Sequence, residues 1–179
     1  GIESRAALVE RSRALAAQLD FAGMRFHDID AAGAERATGL PQRIDIVTAL
    51  HACDTATDDA IRFALGRRVP CIVLVPCCQA EVAAVLRKRK AGALASPLAE
   101  LWRHPIHTRE FGSHVTNVLR CLQLQAHGYD VNVTELVGWE HSLKNELIVA
   151  RFQNRPARVP AERLQTLLSQ LGLEELRER

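Results

Sequence analysis

No run of apolar residues reaches the ~18 that a membrane-crossing helix requires, so the chain does not read as a membrane protein. No basic stretch followed by an apolar segment opens it, and no internal repeat is visible. Charge of one sign is scarce too. There are 23 Lys and Arg against 21 Asp and Glu, a formal net charge of +2, which neither demands nor excludes a nucleic-acid partner. The five cysteines are an odd number and two of them, Cys77 and Cys78, are adjacent, which is not the pattern of a disulfide framework. The reading is a reducing, cytoplasmic setting with thiols kept for packing or chemistry. What is present is globular in character. The 179 residues are 47% hydrophobic and 25% charged, which excludes disordered and fibrous chains and predicts a single domain over 1–179.

Periodicity predicts a helix over 4–18, with Ser4 as N-cap and Leu8, Leu15 and Leu19 on one face. A short strand over 24–28 follows, then a loop with a short helix over 31–43, then a strand over 44–50. Thr55 and Asp58 fit a capping box at the start of a helix over 55–67, with Ile61, Ala64 and Leu65 inward. The β-branched run 71–75, bounded by Pro70 and Pro76, reads as a strand buried on both faces. Helices are expected over 79–90, with Val82, Val85 and Leu86 inward, and over 112–126, with Val115, Val118, Leu119 and Leu122 on one face. Residues 91–112 read as irregular, 131–137 and 146–152 as strands, and a last helix starts at Pro160 with a Leu164, Leu167, Leu168 and Leu171 stripe. Sheet residues thus fill 1–155 and a C-terminal helix 156–179.

Strands alternating with helices predict an α/β fold with a doubly wound, mostly parallel sheet. Such sheets bind ligands beyond the carboxyl ends of their strands. That rule selects three segments: His27-Asp28, His51-Ala52-Cys53-Asp54 and Pro76-Cys77-Cys78-Gln79. His51 is either a general base or acceptor-positioning group, since its charge changes near neutral pH, or a histidine that shapes its loop. Asp54 is either a helix cap or a group that orients a hydroxyl. Cys77 and Cys78 suit a pocket lined by small polarizable groups. A mixed set of His51, Cys53, Cys77 and Cys78 is one zinc accepts, but the C-x2-C spacing of zinc motifs is absent, so no metal is expected. Arg87-Lys88-Arg89-Lys90 reads as a solvated helix end or, with Arg67 and Arg68, as an RNA contact. Trp102 and Trp139 suit a core or lid role, or stacking on a base.

The opening Gly1-Ile2-Glu3, followed by a helix carrying Leu8, Val9, Arg11 and Ala14, resembles the end of the second strand in class I S-adenosylmethionine-dependent methyltransferases. The resemblance implies that Glu3 accepts hydrogen bonds from both ribose hydroxyls of the cofactor and that Asp28, with Ile29, lies at the adenine edge. Asp45-Ile46-Val47 also resembles the opening of that family's fourth strand. Leu50-His51-Ala52-Cys53, Ala56-Thr57-Asp58, Pro76-Cys77-Cys78 and Lys144-Asn145 resemble a subgroup, some of whose members are similar to RNA methyltransferases, tRNA 2′-O-methyltransferases among them. The likeness covers the chain to about Phe152 and implies an antiparallel last strand, with Leu50 and His51 on the cofactor side and His51, Cys77 and Cys78 in catalysis.

One departure stands out. The family's first strand and the glycine-rich turn that cradles the methionine half of the cofactor have no counterpart in this sequence. The expectation is therefore an N-terminally incomplete methyltransferase-like domain, completed by an upstream segment of a longer protein. The activity expected is S-adenosylmethionine-dependent methyl transfer with RNA as the leading substrate class. The alternatives are a catalytically inactive binding or scaffold module, and a methyltransferase acting on protein or small molecules.

Overall fold

The computed structural model describes residues 1–50, 52, 55–76, 80–88, 100–101, 103–138, 140–141, 145–155 and 157–176. Their contacts fall into two compact units, Gly1–Ile44 and Asp45–Arg179.

The first unit holds strand β1 (Ile2–Glu3), helix α1 (Ala6–Gln18) and strand β2 (His27–Asp28). β1 and β2 pair in parallel, with Ile2 opposite His27 and Glu3 opposite Asp28. Ser4 does not cap α1. The N-cap is Arg5, in extended conformation and without a side-chain cap. The buried face of α1 is Val9 and Ala16, one heptad apart, while Leu15 and Leu19 are exposed. The Leu8–Leu15–Leu19 stripe is thus not the inward one, because small Ala16 permits closer approach than Leu15 does. The strand expected over 24–28 shrinks to its last two residues, and 31–43 forms turns without a helix.

The second unit carries strands β3 (Ile46–Leu50), β4 (Cys71–Val75), β5 (Tyr129–Glu135) and β6 (Glu146–Phe152), in the spatial order β3-β4-β6-β5. β3 and β4 are parallel, with Leu50 opposite Val75. β6 runs antiparallel to both of its neighbours. One reversed strand therefore produces two antiparallel pairings, and this sheet is mixed where a mostly parallel one was expected. The hairpin joining β5 to β6 requires the reversal, because consecutive strands with no crossover element between them can pair only antiparallel. The centre of the sheet is closed by Ile72 opposite Ala150 and Leu74 opposite Ile148, all four fully buried. Tyr129 opens β5 buried against Phe152, and its hydroxyl donates to the Val69 carbonyl at 2.9 Å.

Among the described residues, this unit also holds the α-helices α2 (Thr55–Gly66), α3 (Glu81–Lys88), α4 (Pro105–Ala126) and α5 (Arg158–Leu171), with a short 3-10 turn at Glu174–Leu176. α4 begins seven residues before the expected start at Gly112, overturning the irregular reading of 105–112. Pro105 sits in its first turn, where a missing N–H costs nothing. α5 starts at Arg158, so Pro160 lies at its third position, not its first; the N–H there is equally unpaired. A hydrophobic cluster of Val82, Val85 and Leu86 with Val115, Leu168, Leu171 and Leu173 binds α3, α4 and α5 together. Each such side chain contributes about 1.5–3 kcal/mol by burial. Val118, expected on the inward face of α4, is exposed. Gly128, at φ +90°, turns the chain from α4 into β5.

The α3–α4 crossing depends on Gly112. A Cβ there would meet the Ala83 backbone nitrogen at 2.8 Å and its Cβ at 2.9 Å. Gly112→Ala should therefore destabilise the chain by about 1–3 kcal/mol through overpacking, although alanine is the better helix former. Urea denaturation checks this; an unchanged or higher midpoint would show that the helices separate freely.

Candidate functional site

The two ends of the candidate cofactor site that lie in the first unit are neighbours. Glu3 and Asp28 are the last residues of adjacent parallel strands and are register partners, so their backbones lie about 4.8 Å apart. Carboxylates are acceptors only. Two of them side by side suit a ligand that presents only donors on one edge, such as a ribose diol beside an exocyclic amine. Glu3 is held from its own chain. Arg5 donates from Nε to Oε1 at 2.8 Å and from Nη2 to Oε2 at 3.0 Å, and the Arg5 backbone N–H donates to Oε1 at 3.0 Å. The Arg5 guanidinium, and after it the Arg5 N–H, hold the Glu3 carboxyl well below the usual range, at about 2. Oε1 already accepts two of these bonds, so Oε2 keeps the one lone pair left open for a ligand. Asp28 is exposed and Ile29 half-buried.

In the second unit, β3 and β4 end in register at Leu50 and Val75. The candidate segments follow directly on those ends. Leu50 is exposed, while Pro76 and Ala49 are buried. His51, Cys53, Asp54, Cys77 and Cys78 lie outside the described residues, as do Trp102, Trp139, Lys144, Arg89 and Lys90. The turn after β3 is nonetheless anchored: the buried Thr57 Oγ1 donates to the Ala52 carbonyl at 2.6 Å.

Beside this anchor is a buried polar chain that sequence reasoning missed. Arg120 on α4 is 2% exposed and grips Asp58 with both arms, Nε to Oδ1 and Nη2 to Oδ2, each at 2.7 Å. Its Nη1 donates to Asn117 Oδ1 at 3.4 Å, and Asn117 Nδ2 donates to Glu146 Oε2 at 2.8 Å. The Asn117 amide can be oriented only one way, since reversing it would set donor against donor and acceptor against carboxylate. Asp58 is thus an ion-pair partner and not the second half of a capping box. Among the described residues no buried side-chain nitrogen or oxygen lacks a partner. Cys121, next to Arg120, is pushed up to about 11 by burial and then by the charge of Glu146, which makes it an inert thiol. The signal for this chain was present in the sequence. Asn117, Arg120 and Leu124 repeat at helical spacing, so burying Leu124 buries the other two.

A cavity of about 50 Å³ lies against Asp58, Arg120, Glu81, Thr116 and Leu168. Nucleoside-sized ligands need roughly 300 Å³ or more, so this space holds a few waters and not a cofactor. The remaining cations named in the sequence stand at the surface. Arg68, Arg87 and Lys88 are exposed, and the Arg67 guanidinium lies 4.9 Å from the centre of the Phe63 ring. No helix among the described residues is long and apolar enough to cross a membrane.

Compared with known proteins, the chain matches none of the curated sequences. Its residues 1–85, which span Glu3, Asp28, the Leu50-His51-Ala52-Cys53 turn and the Pro76-Cys77-Cys78 segment, match a family model described as a methyltransferase domain.

Proposed function

We propose that this chain acts in S-adenosylmethionine-dependent methyl transfer, with RNA as its leading substrate class. The observation that carries the reading is the juxtaposition of Glu3 and Asp28 at the ends of two paired parallel strands, within a segment that matches a methyltransferase domain. Glu3 accepts the ribose hydroxyls, one on the Oε2 lone pair that Arg5 leaves open and the other in place of an Arg5 donor on Oε1, and Asp28, with Ile29, receives the adenine amine. Leu50, His51, Cys53, Cys77 and Cys78 line the acceptor pocket. When bound, the cofactor would supply an activated methyl on its sulfonium. His51 takes the proton that the acceptor oxygen or nitrogen releases. The thiols shape the pocket and need no redox change.

The free edge of β3 supports completion of the fold by an upstream segment. β3 pairs only with β4 among the described residues, and its Ile46 and Leu50 are 57% and 59% exposed. An apolar strand edge of that kind is a template for one more strand. The exposed Arg68, Arg87 and Lys88 support a polyanionic substrate.

A second reading has its own observation. Both Glu3 oxygens are already engaged by Arg5, as they would be in a non-catalytic binding module. Calorimetric titration of S-adenosylmethionine into this chain, and into a version extended upstream of Gly1, separates the two. Saturable binding by either is the expected result, and binding by neither would leave the scaffold reading. RNA affinity measured between 50 and 200 mM salt then tests the substrate class, since phosphate contacts make binding fall steeply with salt. A flat dependence would favour protein or small-molecule acceptors.

A further inference from the structure

The buried chain from Asp58 to Glu146 has no part in the reading above, and stability alone does not account for it. A buried ion pair is on average no more stabilising than apolar side chains of the same size. What a two-armed Arg–carboxylate contact does provide is fixed geometry. Here that geometry joins three elements of one unit: the first turn of α2 at Asp58, the middle of α4 at Asn117 and Arg120, and the first residue of β6 at Glu146. Each end meets a turn. Thr57, next to Asp58, holds the Ala52 carbonyl at 2.6 Å, and Ala52 stands in the chain between His51 and Cys53. Asn145, next to Glu146, donates from Nδ2 to the Val137 carbonyl at 2.6 Å and accepts the Leu136 N–H at 2.8 Å, closing the base of the β5–β6 turn.

We propose that Arg120 is a positioning residue: through Asp58 and Thr57 it fixes the backbone at Ala52, and through Asn117 and Glu146 it sets that backbone against the base of the β5–β6 turn. The consequence for catalysis rests on the methyltransferase reading, because it is the segment carrying His51 that is held. In-line transfer tolerates little error in placement, about 1 Å costing roughly 100-fold. Glu3 and Asp28 are not members of this chain of bonds, so cofactor affinity should fall far less than transfer does.

The test uses Arg120→Lys, which keeps the charge but lacks the planar fork, together with Thr57→Val and Thr57→Ser, all in the full chain. Three quantities are read: amide hydrogen exchange of the peptide spanning Ala52, S-adenosylmethionine affinity by calorimetry, and single-turnover transfer of labelled methyl to total cellular RNA. In folded Arg120→Lys and Thr57→Val, exchange at Ala52 should rise about 10-fold or more. Transfer at saturating RNA should fall about 10-fold or more, with cofactor affinity within about twofold. Thr57→Ser, which keeps the hydroxyl, should match wild type in all three. Wild-type exchange and transfer in Arg120→Lys would overturn the proposal. If a wild-type chain or upstream-extended version that binds S-adenosylmethionine transfers no methyl to RNA, it is the substrate reading that fails. Exchange at Ala52 in the variants still decides the positioning role, unchanged protection overturning it.

Discussion

Replacing Arg120 by Met should lower the free energy of unfolding by about 3–5 kcal/mol and leave a marginally stable chain. The side chains of Arg120 and Asp58 are 3% and 15% exposed. Removing the guanidinium leaves a largely buried carboxylate without its counter-charge. It also frees the Asn117 carbonyl oxygen, which accepts from Arg120 Nη1. The loss is therefore mainly the cost of an unpaired buried charge and only secondarily that of the lost attraction. That distinction has a measurable corollary. The double variant Arg120→Met, Asp58→Leu removes both charges and should regain most of the stability lost in the single one. Urea denaturation of the two singles and the double, analysed as a cycle, reads the coupling directly. A loss under about 1 kcal/mol in Arg120→Met would show Asp58 to be solvated, in which case the chain of bonds to Ala52 carries no strain-free geometry worth protecting.

Glu3→Ala should weaken S-adenosylmethionine binding by about 100-fold while leaving the fold intact. The ribose hydroxyls donate to a charged acceptor, and charge-assisted hydrogen bonds are the strong ones, so their joint loss should read as about two decades in affinity. Asp28→Ala, which removes one contact at the adenine edge, should cost about 10-fold. The pH dependence follows from Arg5. With the carboxyl at about 2 in place of its ordinary 4.5, Glu3 stays ionised through the acidic range. Its contribution to binding is present above that value and is lost only as pH falls through about 2. Affinity should thus be flat from pH 8 to pH 4.5 in the wild type. In Arg5→Ala the carboxyl returns toward its ordinary range, so affinity should begin to fall near pH 5. Calorimetry across that range checks both. A wild-type affinity that declines below pH 5 would place another carboxylate at the ribose, and an unaffected Glu3→Ala would remove Glu3 from the site.

The order of strands and helices was legible because it is written in local periodicity. The β-branched run over 71–75 becomes the buried strand β4, and the Val82, Val85 and Leu86 stripe becomes the inward face of α3. The ends of elements were less legible, since they depend on which of several weak signals wins. Pro105 starts α4 well before the glycine taken as its start, and Arg5 caps α1 where Ser4 had the better side chain, because Glu3 already holds the Arg5 N–H. The leucine stripe of α1 misled for a related reason. Leu15 and, just past the helix, Leu19 are apolar, but packing selects the face with the closest approach, and that face is Val9 and Ala16.

By itself, then, the sequence determined the alternation of elements and the strand ends at Asp28, Leu50 and Val75, because each is a short-range property of the chain. Tertiary structure decided what long-range contacts decide. It set Glu3 beside Asp28 across 25 residues of chain. It reversed β6 between two neighbours to give a mixed sheet. It also paired Arg120 with Asp58 across 62 residues, a partnership no local pattern encodes, since a buried charge finds its counter-charge wherever the fold brings one within reach.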